Sequence, residues 1–340
     1  MRSLRLCVAA MLVVVGWAAW LPAQDQRTQL YPVLEPFESG FLQVSDLHRI
    51  YFECSGNPKG KPVLVLHGGP GAGSYPRMRQ YFNPKKYLIV LHDQRGAGRS
   101  QPHGELRENT TPNLVRDVER LRKHLDLGEV VIFGGSWGTT LGLAYAEAYP
   151  DNVTGLILRG IFLATKAEVD FHYITTGQFY PKEHDALLSL LPDRARGTHP
   201  DYLFELIQGP DKQLADRVSM ALARFELKFM KLHMRDEWVE SFLKSFSREE
   251  SRRYQCLDLT YVTNHHFLEE GQLLKNVDKI AHLPAVVICG RYDMACPPSS
   301  AFALHKALPK SKLVIVEQAG HSETEEGITE ALVRAAAEFE

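Results

Sequence analysis

Cysteine is scarce in this chain, with five in 340 residues: Cys7, Cys54, Cys256, Cys289 and Cys296. No two form a C-x-x-C pair, and none has the His/Cys spacing of a zinc or iron–sulfur site. No metal is therefore expected. No cofactor is expected either, because Asp93-Gln-Arg-Gly-Ala-Gly-Arg-Ser100 holds glycine and charge outside the G-x-G-x-x-G register of a dinucleotide loop. It reads instead as a turn at a strand end that braces its surroundings. Neither sign of charge is in excess: Lys+Arg number 39 against 41 Asp+Glu, a net charge of −2. That balance excludes a basic footprint for nucleic acid and an acidic tail.

Long apolar runs are also missing, with one exception at the N-terminus. Arg2 and Arg5 precede an uncharged, mostly apolar stretch from Leu6 to Leu21, followed by Pro22-Ala23-Gln24. The run is short for a bilayer span, and no stop-transfer pattern follows it. Residues 1–23 are expected to be a signal peptide that exports the chain to the periplasm or the medium. An uncleaved N-terminal anchor is the alternative, and no stable membrane partner is otherwise expected. Export permits disulfides, but the four remaining cysteines are scattered. Buried free thiols are the expectation, with one bridge left open.

The whole chain, at 44% hydrophobic and 24% charged, has a globular composition, and its length suits one large domain with an insertion. Two strands are expected at Gly40–Val44 and Arg49–Cys54. Uninterrupted apolar runs follow at Pro62–Leu66, Tyr87–Leu91, Val130–Phe133 and Thr154–Leu158. Helical stretches lie between them. In Asn113–Leu127, Leu114, Val118, Leu121 and Leu125 recur at helical spacing, and Thr139–Tyr149 follows the third run. Such alternation indicates a parallel sheet covered on both faces. From Leu163 to Lys279 no strand-like run occurs, only helical segments broken by prolines. The pattern then resumes with strand Ala285–Cys289, helix Ser299–Leu308, strand Lys312–Val316 and helix Thr329–Phe339. The economical reading is an α/β core, residues 24–162 and 280–340, with a helical cap at 163–279. The cap would lie over the strand C-terminal ends, where open α/β sheets place their sites.

Gly134-Gly135-Ser136-Trp137-Gly138 fits G-x-S-x-G between a strand and a helix. The chemistry needs this spacing: a sharp turn exposes the serine hydroxyl while small neighbours let strand and helix approach. The partners of such a serine follow in the order acid, then histidine. Asp293 stands just past strand Ala285–Cys289, and His321 just past strand Lys312–Val316. The expected roles are Ser136 as nucleophile, His321 as general base, and Asp293 as the group that fixes the histidine tautomer. His67-Gly68-Gly69-Pro70-Gly71 follows strand Pro62–Leu66 and fits an oxyanion loop, with Gly69 and Trp137 supplying the backbone N–H donors.

With these residues in place, the chain resembles the proline iminopeptidases, serine peptidases of the α/β-hydrolase fold. The resemblance runs through Tyr31-Pro32…Glu35-Pro36, His48-Arg-Ile-Tyr51, His67-Gly-Gly-Pro-Gly71 and Asp93-Gln-Arg-Gly-Ala-Gly-Arg-Ser100. It continues through Gly134-Gly-Ser-Trp-Gly138, Leu158-Arg-Gly-Ile-Phe162 and Gly290-Arg-Tyr-Asp293. It implies metal-free release of an N-terminal residue, usually proline, from short peptides. It also implies that carboxylates of the cap hold the substrate's free amine. One corresponds to Glu226. The residues support it separately, because on a helix expected from Leu214 to His233 its i±3 and i±4 neighbours are Leu222, Ala223, Phe229 and Met230. The second family carboxylate falls at Thr263, in Val262-Thr-Asn-His-His-Phe267. That departure leaves open a carboxylesterase or amidase on the same triad without amine recognition, and leaves open Glu269 or Glu270 as a replacement acid.

Overall fold

The computed structural model describes residues 28–340, and the leader expected over residues 1–23 lies outside them. Eight strands form one sheet: β1 (Glu38–Gln43), β2 (Arg49–Gly56), β3 (Lys61–Leu66), β4 (Tyr87–His92), β5 (Val130–Gly135), β6 (Val153–Arg159), β7 (Ala285–Gly290) and β8 (Ser311–Val316). Their order across the sheet is β1-β2-β4-β3-β5-β6-β7-β8. The pairs β1/β2 and β2/β4 are antiparallel, and every later pair is parallel.

The apolar runs become strands because both faces of the sheet are covered. Successive side chains of a strand point to opposite faces. Leu64, Leu66, Val130 and Ile132 enter one core cluster, while Val63, Val65, Val131 and Phe133 enter the other. On the first face lie α1 (Thr111–His124), α2 (Trp137–Ala148) and later α10 (Pro298–Ala307); on the second lies α11 (Glu326–Glu338). The α1 residues Leu114, Val118 and Leu121, read from their spacing, are all buried. This helix starts two residues earlier than expected, with Pro112 in its first turn, where a missing N–H costs nothing. Each fully buried Val or Leu contributes on the order of 1.5–3 kcal/mol.

Between β6 and β7 the chain forms seven helices and no strand: α3 (Lys166–Tyr173), α4 (Pro181–Leu188), α5 (Pro200–Gln208), α6 (Lys212–Lys228), α7 (Asp236–Lys244), α8 (Arg248–Thr263) and the short α9 (Gln272–Lys275). Helices α3 to α6 and α8 share a third core containing Tyr173, Leu187, Leu203, Leu222, Phe225 and Leu259. Asp211 starts α6 by accepting from Gln213 N and Leu214 N, both at 3.0 Å. The helix ends at Lys228, not at His233 as its apolar spacing suggested. Beyond it the backbone finds other partners: Met230 O accepts from Ser322 N at 2.8 Å, and Leu232 N donates to Glu325 Oε1 at 3.0 Å. The inserted helices are thereby stitched to the loop after β8.

Helix α8 roofs the sheet's C-terminal edge. A Cβ built on Gly71 would lie 3.2 Å from Leu257 and 3.5 Å from Tyr254, and the Tyr261 ring packs edge-on to Trp137 with centroids 4.9 Å apart. Cys54, Cys289 and Cys296 are buried free thiols, and Cys256 is a half-buried one. Among the described residues, no helix is long and apolar enough to cross a membrane. No group of three or more His, Cys, Asp or Glu among them could hold a metal ion.

Candidate active site

Ser136 sits between β5 and α2 with φ 56° and ψ −128°, a backbone state that costs an L-residue roughly 1–3 kcal/mol. The turn is held by Ser136 N donating to Arg159 O at 2.9 Å and by Thr139 N donating to Ser136 O at 2.8 Å. Only glycine fits beside it at position 138, where a Cβ would lie 2.1 Å from Leu66 O. The G-x-S-x-G spacing is thus a packing requirement of this corner.

Asp293 and His321 come from the ends of β7 and β8 and meet with Oδ2 2.8 Å from Nδ1, both residues buried. The other Asp293 oxygen accepts from Ala295 N at 3.0 Å and from Cys296 N at 2.7 Å, so the carboxylate cannot turn away. On the far side of the ring, Arg159 Nη1 is 3.2 Å from His321 Nε2 and donates to His321 O at 3.0 Å. A guanidinium has no acceptor. Nε2 therefore carries the lone pair and Nδ1 carries the proton, which is the tautomer a general base needs. The Cys296 thiol, whose pKa burial pushes well up, neighbours the Ser136 hydroxyl. Among the described residues no hydrogen bond joins Ser136 Oγ to His321. The structure thus joins Asp293 to His321 directly and sets Ser136 beside them through Arg159 and Gly160.

The glycine loop after β3 packs on the serine: a Cβ on Gly68 would lie 3.3 Å from Ser136 Cβ. Gly69 follows at φ 112°, and Trp137 opens α2, so both proposed donors border the serine. His67 anchors the loop. Burial lowers its pKa, leaving the ring neutral with Nδ1 donating to Gly68 O at 2.8 Å and Nε2 accepting from Gln94 N at 3.0 Å. Gln94 also donates to His67 O at 2.9 Å and accepts from Trp137 Nε1 at 2.8 Å. The neighbouring Asp93 is buried, which alone would raise its pKa. Hydrogen bonds from Arg99 at 2.7 Å and Ser74 at 2.6 Å outweigh this and hold it at about 2. The Asp93–Ser100 turn is a brace, as its sequence suggested.

Glu226 lies on α6 with its side chain 14% exposed. It has partners within the chain: Oε2 accepts from Gln255 Nε2 at 2.8 Å, and Oε1 is 3.4 Å from His172 Nε2. Burial alone would lower the His172 pKa, but the Glu226 carboxylate raises it overall. Thr263, last in α8, donates to Leu259 O at 2.7 Å. Glu269 is exposed, and the Glu270 carboxylate accepts from Lys166 N at 3.1 Å. Neither brings its charge to Glu226. The spacing argument missed His172, Gln255, Asp258 and Arg159. A signal existed for Asp258, the lone charge in the α8 stripe Tyr254, Leu257, Asp258, Tyr261.

A strained serine after a parallel strand, followed by an Asp–His pair from later strands, is the arrangement of the α/β hydrolases. The family model described as alpha/beta hydrolase fold matches residues 61–327, and the chain belongs to that fold family. Solved structures agree on the fold. An esterase from Exiguobacterium antarcticum superposes with a TM-score of 0.63 at 21% identity, covering 88% of this chain and 98% of that one. MGS-M2, an alpha/beta hydrolase enzyme from a deep-sea metagenome library, gives a TM-score of 0.63 at 18% identity, covering 86% and 95%.

Sequence similarity narrows the assignment. The chain is 45% identical over 313 residues to a probable proline iminopeptidase of Leptolyngbya boryana, covering 92% of this chain and 97% of that one. It is 44% identical to the proline iminopeptidase of Arabidopsis thaliana, covering 91% and 81%. It is 41% identical to that of Xylella fastidiosa, covering 91% and 99%. The chain belongs to the proline iminopeptidase family.

Proposed function

We propose that the chain is a serine aminopeptidase releasing N-terminal proline from short peptides, with other N-terminal residues as further candidate substrates. The observation that carries this reading is Glu226, a mostly buried carboxylate bonded to Gln255 of α8, the helix that covers the glycine loop beside Ser136. An acid there does nothing for ester cleavage and matches a substrate ammonium. In the reaction, Ser136 Oγ attacks the carbonyl carbon of the first residue while His321 Nε2 takes its proton. The N–H groups of Gly69 and Trp137 stabilise the oxyanion; losing one such donor costs on the order of 100- to 1000-fold in turnover. His321 then protonates the leaving amine, giving the acyl-enzyme and the shortened peptide. Water, deprotonated by the same histidine, releases the residue and restores Ser136.

A carboxylesterase or amidase without amine recognition is the second reading, favoured by Thr263, whose hydroxyl turns back onto its own helix. Release from proline-p-nitroanilide beside its N-acetylated form and p-nitrophenyl acetate separates them. Strong anilide release that needs the free amine and vanishes in Ser136→Ala supports the peptidase. Ester cleavage alone rejects it. Export through residues 1–23 belongs to the same proposal, supported by Arg2, Arg5 and the apolar run after them. Mass analysis of chain recovered outside the cytoplasm should find it beginning at Gln24.

A further inference from the structure

Glu226 is not alone under α8. The stripe Tyr254, Leu257, Asp258 and Tyr261 is the face of α8 that meets the site: Tyr254 and Leu257 lie over Gly71, and Tyr261 packs on Trp137. Asp258 is half-buried in the middle of this face. Its Oδ2 accepts from Tyr173 Oη at 2.6 Å. Among the described residues no group donates to Oδ1, and that atom is not sealed from solvent. One turn earlier, Gln255 is fully buried and reaches Glu226 through Nε2 at 2.8 Å. Its Oε1 is buried without a partner.

Free acceptors of Asp258 and Gln255 therefore stand beside the Glu226 carboxylate. The donors already present, Tyr173, Gln255 Nε2 and His172, each engage one oxygen and leave others open. The two carboxylates also feel one another. Burial, then the Glu226 charge, raises the Asp258 carboxyl well above the usual carboxylate range. No arginine or lysine bonds to either of them among the described residues. A buried acceptor without a donor, and two acids whose one neighbouring ionisable base is His172, describe a receptor for a cation that carries several N–H groups. Leu257, next to Asp258, lies over Gly71 of the glycine loop, and that loop packs on Ser136 through Gly68, so α8 carries the receptor up to the surroundings of the serine.

We infer that Asp258 is the second carboxylate of the amine-binding site, taking the part that Thr263 does not fill, with Gln255 Oε1 as the third acceptor. The ligand is the α-ammonium of a peptide's first residue. This rests on the aminopeptidase reading and adds a specificity-determining residue to it. A prolinium nitrogen brings two N–H donors and a primary ammonium three. The three acceptors therefore accommodate both, so this ammonium site does not by itself select proline.

Calorimetry on Ser136→Ala, which binds without turning over, reads the amine site directly, with L-prolinamide as probe and N-acetyl-L-prolinamide as its uncharged counterpart. Prolinamide should bind the parent well and bind Ser136→Ala/Asp258→Asn about 10- to 100-fold more weakly, the loss of one charge-assisted contact. The acetylated probe should bind both weakly and alike. In the active enzyme, Asp258→Asn should raise KM for proline-p-nitroanilide by a similar factor and leave p-nitrophenyl acetate cleavage unchanged within about twofold. Equal prolinamide affinity with and without the Asp258 carboxylate overturns the inference, as does an equal loss on both chromogenic substrates, the mark of a structural role. Absence of anilide release by the wild type, with prolinamide still bound through Asp258, would instead overturn the peptidase reading and leave the ammonium site standing.

Discussion

Replacing Gly160 by alanine would put one methyl group against the base. Gly160 follows β6 with φ 60°, and a Cβ there would lie 2.8 Å from His321 Cε1, 3.0 Å from its Nδ1 and 3.3 Å from Asp293 Oδ2. Carbon atoms in ordinary contact are about 3.5–4.0 Å apart, so something must move by more than half an ångström. Asp293 is pinned by Ala295 N and Cys296 N, which leaves the imidazole to shift. A displacement of about 1 Å at a reacting group costs roughly 100-fold, or about 2.7 kcal/mol of transition-state stabilisation. The left-handed backbone adds about 1–2 kcal/mol of lost stability. Gly197 separates the two effects, because its φ is 59° and nothing lies within 4 Å of its Cβ position. Thermal melts and steady-state kinetics on proline-p-nitroanilide should find Gly197→Ala destabilised but fully active. Gly160→Ala should be at least as destabilised, with kcat down about 30- to 100-fold and KM little changed. Wild-type kcat in a folded Gly160→Ala would refute the argument that this glycine holds the histidine in place.

Two further outcomes follow from buried polar groups. Gln94→Leu removes the acceptor of Trp137 Nε1 and the side-chain donor to His67 O, while the backbone bond from residue 94 N to His67 Nε2 remains, leaving buried groups unpaired at about 1–3 kcal/mol each. A fall in melting temperature with a larger fall in kcat is expected; an unchanged kcat would show that the oxyanion loop does not need this latch. On α2, Glu147 Oε1 is buried without a partner among the described residues, and burial pushes the carboxyl up to about 7 despite Asn276 and Lys279. A carboxyl raised in the folded state is without penalty below its usual range near pH 4.5; the penalty grows as pH rises from there and is complete above about 7. Glu147→Gln should therefore gain roughly 1–3 kcal/mol at pH 8 and little at pH 4.5 in denaturant titrations. A gain independent of pH would exclude the charge as its source.

The sheet was readable because parallel strands buried on both faces leave a plain mark, and Val63–Leu66 and Val130–Phe133 carry no polar residue to obscure it. The Ser136, Asp293 and His321 positions were readable because each follows directly on such a run. What local pattern could not reach was pairing between inserted helices. Asp258 gains meaning only when α8 folds onto α3, bringing it to Tyr173, 85 residues away. The end of α6 was misjudged for a similar reason. Phe229 and Leu232 continue a helical stripe, but Leu232 N has a better acceptor in Glu325, 93 residues distant. Arg159 stood inside a quoted motif, yet its contact with both ends of His321 depends on three strands lying in register.

The two hydrogen bonds from Met230 and Leu232 to Ser322 and Glu325 bear on how this enzyme could be rebuilt. The segment bearing His321 is anchored on one side by a piece of chain that, by sequence, belongs to the insertion. The insert is thus not a detachable accessory on a self-sufficient hydrolase. A chimera that exchanges residues 163–279 for a foreign lid would keep its serine and its sheet and lose the registration of its histidine. Grafts intended to change substrate range should retain the Met230–Leu232 strip as part of the chassis and vary the helices on either side of it.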